Sequence, residues 1–157
     1  MTDRAVLISI KPKYCELIAS GKKTVEVRKT RPKIPTPFKG YIYCTLSGMN
    51  EFVESITLEQ YYYEKWYERK GNVIGEFVCD KIITVDCDSV APFDKESGKY
   101  IDKETCLDRD MLWKYTDGSC AYGLHISDLK IYDAPKELSE FGLKRAPQSW
   151  CYVQEVK

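Results

Sequence analysis

The chain opens on a nearly continuous apolar run at residues 5–10, the pattern of a strand buried on both faces. Pro12 follows, and the first turn of a helix tolerates its missing N–H. Tyr14, Leu17 and Ile18 fall at i, i+3 and i+4, which predicts a helix of about two turns with one apolar face. Gly21 is placed to end it in the left-handed conformation. The period then changes: Val25 and Val27 alternate with Glu26 and Arg28, as on a half-buried strand. Prolines at 32, 35 and 37 exclude regular helix or central strand from residue 30 to 38 and predict a stiff extended loop.

Residues 40–46 alternate again, with Ile42, Cys44 and Leu46 on one face and Tyr41, Tyr43 and Thr45 on the other. Thr57 and Gln60 have capping-box spacing and predict a helix over 57–70, stopped by Gly71. Its Leu58, Tyr61, Tyr62, Tyr63, Trp66 and Tyr67 either pack it onto the fold or offer a contact surface. Residues 72–85 read as a long strand bent at Gly75, and 86–103 as a turn-rich stretch with Ser97-Gly98 at a hairpin tip. Thr105-x-x-Asp108 suggests a short helix through Trp113. A strand over 121–133 has an irregularity at Ser127-Asp128, a connector with one helical turn spans 135–141, and a closing strand covers 148–156. Strands predominate, short helices are inserted between them, and no linker or repeat divides the chain. These features predict one domain over residues 1–157, α+β but mainly β, built as a closed mixed β-barrel of about six strands.

At 157 residues the chain is long enough for a core without staples. No apolar run approaches the roughly 18 residues that span a membrane, and the N-terminal residues lack a signal-peptide pattern, so a cytoplasmic protein without membrane contact is expected. Seven cysteines without C-x-x-C spacing and a single histidine give no readable zinc set. Reduced structural cysteines, and no metal or cofactor, are expected. His125, between Leu124 and Ile126, reads as structural, and there is no P-loop, G-x-G-x-x-G or H-E-x-x-H. Net charge is zero, yet residues 11–39 carry nine Lys or Arg against two acids, a local +7 balanced by −7 elsewhere. Such asymmetry creates a positive surface on a neutral protein.

The candidate chemistry falls inside that basic segment. Thr24, Glu26 and Arg28 share one face of the second strand, and Lys23 sits at the turn into it. If the face lines a cleft, Arg28 can hold a phosphate or carboxylate in its fork while Glu26 accepts from an exocyclic amine or ribose hydroxyl. The alternative is an exposed Glu–Arg pair worth under about 1 kcal/mol. A second group, Arg145, Gln148, Ser149, Trp150 and Tyr152, would form the opposite wall if the last strand lies near the first. Trp150 or Tyr152 would then stack a base, with Gln148 and Ser149 as donors; otherwise Trp150 is core and 148–149 a turn.

Ser9-Ile10-Lys11-Pro12, then a helix, then Gly21-Lys22-Lys23-Thr24-Val25-Glu26-Val27-Arg28 resembles the first segment of the ASCH domain family, in the PUA-like superfamily of small β-barrels. The likeness continues at residues 73–78, 123–132 and 147–153, in the same order. It implies a PUA-like barrel, and PUA-like proteins often bind RNA in a cleft beside the first helix. Here that cleft would be lined by Lys11, Lys22, Lys23, Glu26, Arg28 and Lys29. Some small bacterial members act as amidohydrolases on acylated cytidine with a Lys, a Thr and a Glu, and ribonuclease activity is also attributed to the family. The lysine of their G-x-K-T segment matches Lys23 and their later arginine matches Arg28. Their catalytic threonine falls on Glu26, with Thr24 close by, and their glutamate has no aligned counterpart here, Glu59 and Glu64 being candidates. An enzyme reading would therefore rest on Lys23, Glu26 and Thr24. Together these features point to a domain binding RNA, a nucleotide or a modified nucleoside, with a small hydrolase and a protein-interaction domain (through helix 58–70) as alternatives. Catalysis and oligomeric state are left open.

Overall fold

Strand β1 (Arg4–Ile10) is buried along its length after Arg4, as its apolar run requires, and lies parallel to β3 (Phe38–Cys44) and antiparallel to β8 (Trp150–Gln154). A parallel neighbour needs a crossover, and α1 (Pro12–Ala19), β2 (Val25–Arg28) and the proline-rich loop supply it. The computed structural model describes residues 3–46 and 69–157. All but the last two positions of the aromatic helix expected over 57–70 fall outside them.

Beyond β3 the sheet continues through β4 (Asn72–Asp86) and β7 (Ala121–Lys136) to β2, giving the order β2-β7-β4-β3-β1-β8. A small hairpin, β5 (Phe93–Asp94) with β6 (Lys99–Tyr100), hangs from the end of β4. Gly98, at its tip, has φ +70°. The β4–β7 ladder shifts register at Gly75 and again between Val78 and Glu76, where Asp128 adopts φ +47°. Both expected irregularities therefore coincide with register shifts, and the one at Ser127-Asp128 has the single extra residue of a bulge. At Gly75 the reason is close approach: a Cβ there would lie 2.6 Å from the Lys130 carbonyl oxygen.

The expected closed barrel is not formed. The sheet is open, because β2 and β8 end the strand path and do not pair with each other. Prolines at 32, 35 and 37, in the loop that follows β2, keep that loop from pairing as a strand with a second partner. Side chains cross the seam instead. Trp150 Nε1 donates to Thr30 Oγ1 (3.1 Å), the Lys33 N–H to the Tyr152 hydroxyl (2.8 Å), and Arg28 reaches β1.

Apolar side chains gather in three clusters. Val6, Ile8 and Ile10 meet Cys15 and Ile18 of α1, with Ile42 and Phe77, on one face of the sheet. Leu7, Tyr41, Tyr43 and Phe141 fill the other, Phe141 coming from a 3-10 turn at Leu138–Phe141 within the expected connector. Val25 and Val27 pack with Ile83, Val85 and Leu112 under α2 (Asp102–Thr105) and α3 (Arg109–Thr116). Each fully buried Leu or Ile contributes roughly 1.5–3 kcal/mol.

Three local expectations change. The buried face of α1 is Pro12, Cys15, Glu16 and Ile18, with Tyr14 and Leu17 only half-buried, so the face is turned slightly toward the sheet. Leu46 is exposed, since β3 ends at Cys44. The helix expected from Thr105 is two helices, separated by Cys106 at φ 55°. Asp108 is itself the N-cap of α3, accepting from the Met111 N–H at 2.8 Å.

Candidate functional site

The site is set by how α1 stops and β2 starts. Gly21, at φ +80°, ends α1, and its N–H donates to the Ile18 carbonyl (3.0 Å). The Lys23 N–H then folds back to the Leu17 carbonyl (2.9 Å), which fixes where the lysine side chain leaves the turn. Thr24, half-buried, is held through its backbone, donating to Glu104 and accepting from the Ile126 N–H. On β2, Val25 and Val27 face the α2–α3 cluster, so Glu26 and Arg28 face the opposite side, toward β1.

All four β2 residues are buried. The two-residue alternation therefore does not separate core from solvent: the polar face is covered as well. Lys23 is 3%, Glu26 7% and Arg28 8% exposed. Lys23 Nζ donates to the Thr105 carbonyl, stands 3.6 Å from Glu26 Oε2, and lies 5.1 Å from the Tyr14 ring centroid. Arg28 Nη2 donates to Glu26 Oε1 and to the Ser9 carbonyl, both at 2.8 Å, and Nη1 reaches Ser149 Oγ at 3.4 Å. Ser9 in turn ties down the lead into β8: its N–H donates to the Ser149 carbonyl (2.9 Å) and its hydroxyl to that of Pro147 (2.7 Å). Glu26 Oε2 and Arg28 Nε, both shut off from solvent, have no hydrogen-bond partner among the described residues.

Two titratable neighbours feel this cluster. Burial pushes the Cys15 thiol of α1 well up, with Cys44 and the Glu26 carboxylate adding to it and Arg28 opposing. Burial also raises the Tyr115 phenol on α3, against the pull of the Arg28 guanidinium beside it. All seven cysteines are free, and Cys15, Cys44, Cys79 and Cys87 are buried. His125 Nδ1 donates to Asp80 Oδ1 at 2.6 Å, a partner its sequence neighbours do not reveal. Burial tends to raise the Asp80 carboxyl, but this bond, with the His125 and Lys81 charges, holds it below its ordinary value.

Of the predicted residues, the structure brings together Lys23, Glu26, Arg28 and Ser149. Trp150 and Tyr152 lie across the seam from Thr30 and Lys33, half-buried and edge-to-face at 5.2 Å. Lys11, Lys22, Lys29, Arg145 and Gln148 are exposed around it: Lys11 and Lys22 flank α1, Lys29 follows β2, and Arg145 and Gln148 precede β8. The sequence reading missed Ser9, Tyr14 and Thr105, which contact Arg28 or Lys23 directly. Ser9 left a signal, as the one polar residue in an apolar run; the others reach the site through tertiary packing. A cavity of about 410 Å³ lined by Arg4, Pro35, Pro37, Phe38, Val78 and Glu155 shares none of these residues. Among the described residues no three His, Cys, Asp or Glu side chains gather as metal ligands would, and no helix is long and apolar enough to cross a membrane.

Comparison with known proteins bears on the fold. The profile of the family described as ASCH domain matches residues 8–105. The crystal structure of ASCH from Zymomonas mobilis superposes with a TM-score of 0.67 at 20% identity, covering 98% of this chain and 90% of that one. A tyrosine-to-phenylalanine variant of that protein gives 0.66 at 20% identity, over 96% of this chain and 91% of that one. At that identity the likeness concerns the fold. No curated protein matches the sequence.

Proposed function

Because the chain belongs to the ASCH domain family, which is associated with RNA-binding or hydrolase roles, we propose that it binds RNA or a nucleotide at Lys23, Glu26 and Arg28. One observation carries the reading: among the described residues neither Glu26 Oε2, an acceptor 3.6 Å from Lys23 Nζ, nor Arg28 Nε, a donor, has a hydrogen-bond partner, although both are buried on one ion pair. Each such atom costs about 1–3 kcal/mol, and a native fold keeps them where something else completes them. A base edge offering an amine beside a carbonyl or ring nitrogen completes both. Of the Arg28 contacts, that to Ser149 is the longest, so the ligand enters by parting the seam there, with Trp150 and Tyr152 at its mouth. The basic stretch 11–39 supplies the phosphate contacts.

Titrating labelled RNA at two ionic strengths tests this. Binding should weaken with salt, with a log–log slope of about 0.7 for each phosphate contacted on a single strand. Absent binding, or binding indifferent to salt, overturns the reading. The hydrolase reading rests on Lys23 standing 3.6 Å from the Glu26 carboxylate; Glu26, however, occupies the position of the threonine used by the amidohydrolases this chain resembles. Release of free cytidine from N-acylated cytidine, lost in Lys23→Ala, would establish it.

A further inference from the structure

Two aromatic rings that the nucleotide reading does not use neighbour Arg28. Tyr115, on α3, is 36% exposed, with Lys29 Nζ 5.1 Å from its ring centroid. Its hydroxyl side is near Arg28 and the Lys29 backbone. Tyr122, on β7, is the cross-strand partner of Arg28, so the two side chains share a sheet face. It is half-buried, and the Arg31 guanidinium carbon lies 5.9 Å from its ring. Both cations come from the segment immediately after β2, inside the +7 stretch, and both are exposed.

We propose that Tyr115 with Lys29, and Tyr122 with Arg31, form a track for single-stranded nucleic acid, stacking the nucleotides that flank the one held at Glu26 and Arg28. This rests on the nucleotide reading of that cluster and extends it from a single base to a strand. Alternating rings and cations are what a strand with bases on one side and phosphates on the other requires. An exposed cation–π pair is weak, so a base displaces the cation from the ring at small cost. Lysine and arginine, on long stems, then keep their charge within reach of the adjoining phosphate. A duplex has its base faces stacked internally and offers the rings nothing. An acidic polypeptide would answer to the two cations but not to the rings.

Fluorescence anisotropy with a labelled hexanucleotide, a duplex of the same sequence and a competing mononucleotide tests the track on the full chain. Wild type should bind the hexanucleotide more tightly than either the mononucleotide or the duplex. Tyr115→Leu and Tyr122→Leu should each weaken the hexanucleotide by about 5- to 150-fold, with mononucleotide binding retained, whereas Tyr115→Phe, which keeps the ring, should bind as wild type does. Lys29→Gln and Arg31→Gln alter exposed side chains without touching the core. Each should lower the salt slope by about 0.7. A hexanucleotide bound no better than a mononucleotide, or leucine variants indistinguishable from wild type, overturns the track and leaves the nucleotide site standing. A wild-type protein that binds no nucleotide of any length overturns both.

Discussion

At the scale of single residues, the feature that decides most is that Glu26 is shared. Its carboxylate faces Lys23 at 3.6 Å and Arg28 at 2.8 Å, so one anion serves two buried cations. Removing a partner from a buried ionic group costs about 3–5 kcal/mol, because the remaining charge is left uncompensated. The cost should therefore be uneven. Glu26→Leu leaves both cations facing each other without an anion and should lose the full amount in urea unfolding. Arg28→Met leaves Glu26 with Lys23 still beside it and should lose clearly less. Equal losses, or a larger one for Arg28→Met, would mean that the three groups do not act as one network.

At the scale of elements, the local signals located much of the fold. Pro12 and Gly21 bracket α1 closely because each acts through its own backbone, by a missing N–H and by a left-handed φ. Gly75 and Ser127-Asp128 marked the register shifts for the same kind of reason. What the sequence could not carry was whatever depends on a neighbour far along the chain. The alternation of β2 identified the shared face of Glu26 and Arg28 but not that β1 and the lead into β8 cover it. Thr105 and Asp108 both suit a cap by residue type, yet Thr105 ends α2 and Asp108 caps α3. The open seam was implicit in prolines 32, 35 and 37, whose effect on closure shows only once β2 is known to lie at an edge. Strand pairing has tight local requirements at glycines other than Gly75 as well. Gly40 on β3 lies against Phe77 on β4, whose ring fills the space a Cβ would need. Gly40→Ala should cost about 1–3 kcal/mol by overpacking. Adding Phe77→Leu should recover part of that in thermal melts, although Phe77→Leu alone destabilises; simple additivity would show that the ring is not what excludes the methyl group.

At the scale of the whole molecule, a row of polar contacts ties the sheet together from β7 to the chain end. The Tyr132 hydroxyl donates to Glu76 Oε2 at 2.6 Å, Glu76 Oε1 pairs with Lys39 at 3.4 Å, and Lys39 also pairs with Glu155, just past β8, at 3.4 Å. Burial pushes the Glu76 carboxyl up, but Tyr132 and Lys39 outweigh it and hold the group below its ordinary 4.5. Burial likewise tends to lower Lys39, and Glu76 outweighs it, leaving the ammonium above its ordinary 10.5. A depressed carboxylate contributes stability that is present above its unfolded value and lost as pH falls through the folded one; a raised ammonium contributes below its unfolded value and loses it as pH rises through the folded one. The row is therefore fully in force between 4.5 and 10.5 and fails from both ends. Glu76→Gln keeps an acceptor for Tyr132 but removes the titrating charge. Its melting temperature should be lower than that of wild type at neutral pH, and the gap should narrow as pH drops below 4.5. Parallel acid limbs for the two proteins would show that Glu76 keeps its ordinary value and that the row does not bind the two ends of the sheet.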